Sequence, residues 1–265
     1  TGKWYIRTVA GAVLVYDVSW GFAAATPIPG DFNGDGRSDL ALYDSGTGNW
    51  HIRTVAGAVL ANPQNWGYLG AQGATGDYDG DGASDLAVYD SAQGRWFVYS
   101  LKKKQTVFYD VAWGGPGQRA VPGDYDGDGV TELGVFNPAT AQWNIRKQGR
   151  VLRWAYTWGS AGVTPVQGDF NRDGYDDLTI YDSQNGLWYF LSARDNVVLA
   201  TAYPWGDANK IPVAGDYDGD GIQDIAVVDK NDFNWYIWST GKGVALAWLN
   251  QWGFMGAIPL GSRSK

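Results

Sequence analysis

The chain has 265 residues, 45% of them hydrophobic, with 38 Gly, 15 Trp, 16 Tyr, one His, no Cys and a formal net charge of −8. This is ample for a packed core, and it excludes disulfides, thiolate metal sites and a multi-histidine zinc centre. No apolar run approaches the ~18 residues of a membrane span, and no basic-then-apolar leader opens the sequence, so any secretion signal is expected to have been removed.

In chain order, the sequence is a repeat. Residues 1–14 (TGKWYIRTVAGAVL) match 47–60 (TGNWHIRTVAGAVL) at 12 of 14 positions. The dipeptide Trp-Gly begins at Trp20, Trp66, Trp113, Trp158, Trp205 and Trp252, spaced by 45 to 47 residues. A second series keeps step with it: Trp4, Trp50, Trp96, Trp143, Trp188 and Trp235. Such self-similarity marks a repeat architecture. The units run approximately over 21–66, 67–113, 114–158, 159–205 and 206–252.

Each unit reads as four short extended segments, which we letter A to D. In the second unit they fall at 74–78, 85–89, 95–100 and 106–111, each β-branched or aromatic and bounded by Gly, Asp, Asn or Pro. Nothing between them is long enough, or periodic enough at 3.6, for a helix. Four strands per repeat predict an all-β fold, a β-propeller of four-stranded blades forming a single domain over 1–265. Residues 1–20 supply an extra C and D, and 258–260 reads as an extra A. A sixth, partial blade is therefore expected from 1–20 and 253–260, with a five-bladed ring as the alternative. The ending GSRSK breaks the repeat and reads as a native or a vector-derived tail.

Between A and B, every unit carries an acidic nonapeptide: DFNGDGRSD (31–39), DYDGDGASD (77–85), DYDGDGVTE (124–132), DFNRDGYDD (169–177) and DYDGDGIQD (216–224). Oxygen side chains fall at positions 1, 3, 5 and 9, with Gly at position 6 for the sharp reversal. A hard cation such as Ca²⁺ takes six to eight oxygens, and alternating oxygens in a tight loop wrap one ion. The side-chain ligands would be Asp31, Asn33, Asp35 and Asp39; Asp77, Asp79, Asp81 and Asp85; Asp124, Asp126, Asp128 and Glu132; Asp169, Asn171, Asp173 and Asp177; and Asp216, Asp218, Asp220 and Asp224. Position 7 would add a backbone carbonyl from Arg37, Ala83, Val130, Tyr175 or Ile222. The start resembles an EF-hand, but position 12 is Leu42, Val88, Val135, Ile180 or Val227 and already belongs to strand B. The alternative is a set of Asx-rich turns without metal. Magnesium suits the loops less, because it prefers octahedral geometry and retained water. Five divalent ions would bring the formal charge from −8 to +2, so the acidity belongs to local sites. Ligand charge orders the loops: Asn33 and Asn171 weaken theirs, and 169–177, with Arg172 at position 4, is expected to lose its ion first.

These units resemble the FG-GAP or VCBS repeats of integrin-α-like propellers in their bacterial form, and WGDANKIPVAGDYDGDGIQDIAVVD (205–229) is a close match. The resemblance covers essentially the whole chain. It implies a propeller with calcium in the A–B loops, about five ions here, in secreted or cell-surface proteins that bind ligands or stand beside other domains. The implied role is an extracellular binding or adhesion module for a glycan or protein, as part of a larger polypeptide or assembly. The alternatives are a structural spacer of a surface protein, or a propeller enzyme.

The in-register Trp residues suit packing better than sugar stacking. His51 stands in a slot that other units fill with Tyr5, Phe97, Tyr189 and Tyr236. Asp44, Asp90, Asp182, Asp229 and Asn137 end strand B, where Asx turns are expected. No nucleophile–base pair, phosphate loop or carboxylate dyad stands out, so no catalytic residue is assigned. The one basic run, Lys102-Lys103-Lys104, reads as a solvated turn, so neither nucleic-acid binding nor membrane insertion is indicated. If strands alternate in direction, the A–B and C–D loops share one face and the D–A and B–C loops share the other. The D–A stretches vary between units, so a ligand is expected there, among Phe22, Tyr68, Gln118, Arg119, Asp207 and Asn209.

Overall fold

The structure is a computed structural model and describes residues 2–261. It divides into two compact units, 1–122 with 129–135 and 146–148, and 123–128 with 136–145 and 149–265. In the first unit, β1 (Lys3–Arg7) and β2 (Val13–Ser19) pair as a two-stranded sheet. There follow two four-stranded sheets, β3 (Thr26–Pro27), β4 (Leu40–Asp44), β5 (Asn49–Arg53) and β6 (Val59–Asn65), then β7 (Gln72–Gly73), β8 (Leu86–Asp90), β9 (Arg95–Ser100) and β10 (Gln105–Ala112). The dividing line runs through the next sheet, β11 (Arg119–Ala120), β12 (Leu133–Asn137), β13 (Gln142–Lys147) and β14 (Arg150–Thr157). The second unit holds β15 (Thr164–Val166), β16 (Leu178–Asp182), β17 (Leu187–Leu191) and β18 (Val198–Pro204), then β19 (Lys210–Pro212), β20 (Ile225–Asp229), β21 (Asn234–Ser239) and β22 (Val244–Gln251).

Each sheet keeps its strands in chain order, one sheet per repeat, giving five four-stranded propeller blades with no helix among the described residues. The expectation of a sixth blade position is corrected. Residues 258–260 form no strand, and β1 pairs only with β2. The A strands show why: they are two or three residues long and are held by a B partner, as Thr26 and Pro27 are by Tyr43 and Leu42. No sixth B segment exists in the sequence to hold 258–260. The A strand of the second unit is also shorter and earlier than expected, at Gln72–Gly73 instead of 74–78. Ala74 still donates to the Ala87 carbonyl, but beyond Gly76, which bridges to Asp85, the chain has entered the acidic loop. The Ser262–Lys265 part of the GSRSK tail lies outside the described residues.

Side-chain pattern explains the layering. The B strands read LALYD, LAVYD, LGVFN, LTIYD and IAVVD and are buried at nearly every position, as continuous apolar runs should be. C strands alternate, and D strands are mostly wet. The C-strand tryptophans form a regular lock within each blade. Trp4, Trp50, Trp96, Trp143, Trp188 and Trp235 each donate the indole N–H to the carbonyl of the Trp-Gly tryptophan that ends strand D, at 2.6 to 3.1 Å. Four of them, Trp50, Trp96, Trp143 and Trp188, are completely buried, so this bond satisfies a donor with no access to water. The glycine after that carbonyl is required. Gly67 and Gly206 have φ of 142° and 147°, and a Cβ there would lie 2.4 and 2.3 Å from the hydroxyls of Tyr43 and Tyr181.

The D strands carry a device that the sequence does not announce. Three residues before five of the six Trp-Gly pairs, Asp17, Asp110, Ala155, Ala202 and Leu249 have φ between 48° and 58°, and Pro63 takes that place before Trp66. C–D pairing slips in register there, as at Trp188/Phe190 against Tyr203/Ala200. These are β-bulges with a left-handed non-glycine residue.

Candidate functional site

The acidic nonapeptides form one geometry wherever the structure describes them. Position 1 caps the loop's own backbone. Asp31 accepts from the N–H groups of Gly34, Asp35 and Gly36 at 2.7, 3.1 and 2.7 Å, and Asp216 accepts likewise from Gly219, Asp220 and Gly221. Position 5 accepts from the N–H of position 7: Arg37, Ala83, Tyr175 and Ile222 donate to Asp35, Asp81, Asp173 and Asp220. Position 2 is an aromatic turned inward; Phe32, Tyr78 and Phe170 sit in the core.

Position 9 points back into the loop. One oxygen of Asp39, Asp85, Asp177 and Asp224 accepts from the position-2 N–H at 2.8 to 2.9 Å. The other oxygen of Asp177 is buried without a hydrogen-bond partner. Burial pushes these carboxyls up, with neighbouring carboxylates adding to the effect: Asp39 and Asp224 to about 6, Asp85 to about 7 and Asp177 to about 8. Carboxylate oxygens of Asp77, Asp79 and Asp85 lie within 4.8 Å of one another, as do those of Asp216, Asp218 and Asp224. A buried anion left half-satisfied among other anions is a donor set suited to a divalent cation. These residues could hold one. Asp81 and Asp220, at position 5, stand outside the tight groups.

Loops with Asn at position 3 close differently. Asn33 and Asn171 donate through Nδ2 to Asp35 and Asp173 at 3.2 and 3.1 Å. The third loop straddles the division between the units. On one side Asp124 accepts from Gly127 and Asp128 at 2.7 and 3.2 Å, and Asp126 is half-buried. On the other side Glu132 is buried with Lys147 Nζ 4.0 Å away, and Val130 is half-buried.

Two features escaped sequence reasoning. First, the loops join neighbouring blades. The position-8 N–H of one loop donates to the position-1 carbonyl of the loop before: Ser84 to Asp31, Thr131 to Asp77, Asp176 to Asp124 and Gln223 to Asp169, at 2.6 to 2.9 Å. The position-8 side chain then packs on the glycine preceding the earlier loop. A Cβ at Gly76 would lie 2.5 Å from Thr131 Cγ2, and one at Gly168 would lie 2.5 Å from Gln223 Cγ. The signal was in view, since a glycine precedes every nonapeptide, but its partner is one repeat away.

Second, the C–D turns lie against the acidic loops, and the basic run is not simply solvated. Ser100 and Ser192, buried at the end of strand C, donate to Asp81 and Asp173. Lys103 Nζ is 3.0 Å from Asp79, and Lys242 Nζ is 2.9 Å from Asp218. Lys102 donates to the Asp81 carbonyl at 2.7 Å.

At the other end of the strands lie the D–A and B–C loops. Asp44, Asp90, Asn137, Asp182 and Asp229 all accept from the N–H two residues on, at 2.7 to 3.0 Å, so each closes an Asx turn. Tyr68 donates to Asp90 at 2.8 Å and packs edge-on against Phe97; Phe22 packs likewise on His51. His51 fills an aromatic slot and bonds Asn62 at 2.7 Å through Nδ1. Asp207 is engaged by Lys210 at 2.9 Å and by the Asn209 N–H at 2.8 Å, and Lys210 also reaches Asp229 at 2.7 Å. Arg119 is exposed, and the side-chain oxygen of Gln118 is buried without a partner. A groove of about 410 Å³ opens between Trp158, Gly159, Ser160, Ile180, Tyr189 and Thr201.

A family model, the FG-GAP-like repeat, matches residues 77–135 and 169–227. No curated protein matches the sequence. Among solved structures, the chain is similar to a lectin of Agrocybe aegerita described as specifically recognising non-reducing terminal N-acetylglucosamine, at 14% identity and a TM-score of 0.54, over 86% of this chain and 66% of that one. It is also similar to an auxiliary nutrient-binding protein of Bacteroides ovatus, at 12% identity and a TM-score of 0.50, over 84% and 57%. At these identities the likeness is one of fold. The chain spans less than two thirds of the length of either.

Proposed function

We propose that this chain, in which residues 77–135 and 169–227 match the FG-GAP-like repeat, is a calcium-stabilised extracellular or cell-surface module that binds a glycan or protein ligand through the loops opposite its acidic nonapeptides. The residues that would hold calcium are the carboxylates at positions 1, 3 and 9, with Asn33 and Asn171 at position 3 in two loops, joined by position 5 and the carbonyl at position 7. The ion's chemistry here is structural: it neutralises buried position-9 carboxylates that otherwise oppose folding. No catalytic step is assigned to any residue.

The observation that carries the binding reading is the contrast between the two loop sets. The nonapeptides repeat the position-1 cap from blade to blade and bond to one another. The D–A loops differ: Phe22 and Tyr68 expose aromatic surface, Arg119 offers a free cation, and Asp207 with Asn209 forms a hydrogen-bonded polar loop. A rigid repeat with variable loops at one end is how repeat proteins carry specificity. The lectin and the nutrient-binding protein with this fold support a ligand-binding role over an enzymatic one.

The test is a glycan array and an immobilised extracellular-protein panel, probed with the full chain in calcium. Phe22→Ala, Tyr68→Ala and Arg119→Ala should each lose any captured ligand while keeping the melting temperature. Loss instead with Trp154→Ala or Trp248→Ala, two exposed tryptophans of outer strands β14 and β22, would move the site to the blade rims. Capture of nothing on either panel would favour a spacer.

A further inference from the structure

Position 3 of the five loops is Asn33, Asp79, Asp126, Asn171 and Asp218 in chain order, and in the first, second, fourth and fifth the C–D turn differs with it. Where position 3 is Asp79 or Asp218, a lysine three residues beyond the end of the C-strand serine motif reaches it: Lys103 from Ser100, and Lys242 from Ser239. Both aspartates are buried, with side chains 9% and 8% exposed, whereas both lysines are about half exposed, at 40% and 52%. The two pairs occur at the same register in separate units of the chain. Where position 3 is Asn33, the matching turn Thr54–Ala58 has no basic residue. Where it is Asn171, the turn's Arg194 lies over the Tyr175 ring, 5.5 Å from its centroid. In both Asn loops the amide nitrogen itself meets the position-5 carboxylate. The first loop thus carries three carboxylates at its oxygen positions; the fifth carries four with Lys242 on Asp218, and the second carries four with Lys103 on Asp79 and Lys102 at 3.9 Å from Asp81.

We propose that Lys103 and Lys242 are built-in counter-ions of the second and fifth loops, holding the extra position-3 carboxylate when the loop is free of metal and yielding that oxygen to a divalent cation. This rests on the reading of the nonapeptides as cation sites. An ammonium 3 Å from a ligand carboxylate cancels part of its charge and competes with the cation for its oxygens, so each lysine stabilises the ion-free loop and weakens ion binding. The half-exposed stem gives it solvent to move into. The lysines therefore offset the ranking that ligand charge alone would give, and the four-carboxylate loops lose their advantage over the loops with Asn.

The test uses the full chain with Lys103→Gln and Lys242→Gln together, and Lys104→Gln as the control. Calcium titration by calorimetry should show the two altered sites binding roughly five-fold tighter, the upper range for a partly exposed ion pair. In EDTA the double variant should melt below wild type. Adding Asp79→Asn and Asp218→Asn, which recreates the pattern of the first loop, should restore that melting temperature. If wild type binds calcium and the lysine variant binds no tighter, the counter-ion role is overturned and the cation reading stands. If wild type binds no divalent cation, both fall together.

Discussion

Asp85→Asn separates a cation site from a metal-free turn, because only a cation site makes the difference between variant and wild type depend on calcium. Asp85 is 1% exposed, its Oδ2 accepts from Tyr78, and Asp77 and Asp79 crowd its other side. Its carboxyl is raised from 3.8 to about 7. For an acid so raised, the folded state binds the proton more tightly, so ion-free stability falls as pH rises from about 4 to about 7 and stays low above that. At pH 8 the charged side chain opposes folding by ~2–4 kcal/mol, taking about 1.4 kcal/mol per pH unit and allowing for relaxation. Asparagine keeps an acceptor for Tyr78 and gives the flanking carboxylates a donor. In EDTA at pH 8, Asp85→Asn should therefore melt roughly 5–10 °C above wild type, with most of that gain gone at pH 5. Calcium should then erode the gain by about 1.4 kcal/mol per tenfold rise in free ion above the dissociation constant, because wild type keeps a site that the variant lacks. Differential scanning calorimetry across a calcium and pH grid reads both trends. A variant less stable than wild type in EDTA, or a difference indifferent to calcium, would refute the reasoning.

Other outcomes follow from the scaffold. Trp96→Phe removes the donor to the Trp113 carbonyl, 2.8 Å away in a dry core; it should cost about 1–3 kcal/mol in urea melts, and a neutral result would deny the lock. Gly76→Ala sets a Cβ 2.5 Å from Thr131 Cγ2 and should destabilise by about 1–3 kcal/mol, with Thr131→Gly in the same chain recovering part of the loss; equal losses in single and double variants would deny contact between the blades. Ala202→Gly relieves a φ of 55° in a bulge and should gain about 0.5–1 kcal/mol, whereas a loss would argue against the bulge. The Lys210 ammonium holds the carboxyls of Asp207 and Asp229 below their ordinary values. That stability is complete above about pH 4 and is lost as pH falls through the lowered values, so Lys210→Met should flatten the acid limb of a urea-midpoint profile below pH 4.

The blade was legible in the sequence because it is repeated. Trp-Gly spacing set the period, the B segments announced themselves as apolar runs, and the nonapeptides announced their own turns. What failed was what depends on a partner. Residues 258–260 look like an A strand, but an A strand exists only where a B strand holds it. The 74–78 segment is β-like in composition, yet half of it is claimed by the loop, because Asp77 caps its own backbone. The bulges at Asp17, Asp110, Ala155, Ala202 and Leu249 carry no common residue type, so no local preference flags them. At the candidate site, the carboxylates and their order along the loop were readable. Their partners were not: Lys103 lies 24 residues beyond Asp79 and Thr131 lies 54 beyond Asp77, and folding alone brings each pair together.

The most direct measurement is calcium stoichiometry by equilibrium dialysis of the full chain, with melting curves on the same samples. The account predicts about five ions per chain, one for each nonapeptide, bound at ~10⁻⁴–10⁻³ M as in extracellular modules, with a melting temperature that climbs as the sites fill. A chain that holds no calcium at ~10 mM and melts identically in EDTA would contradict it.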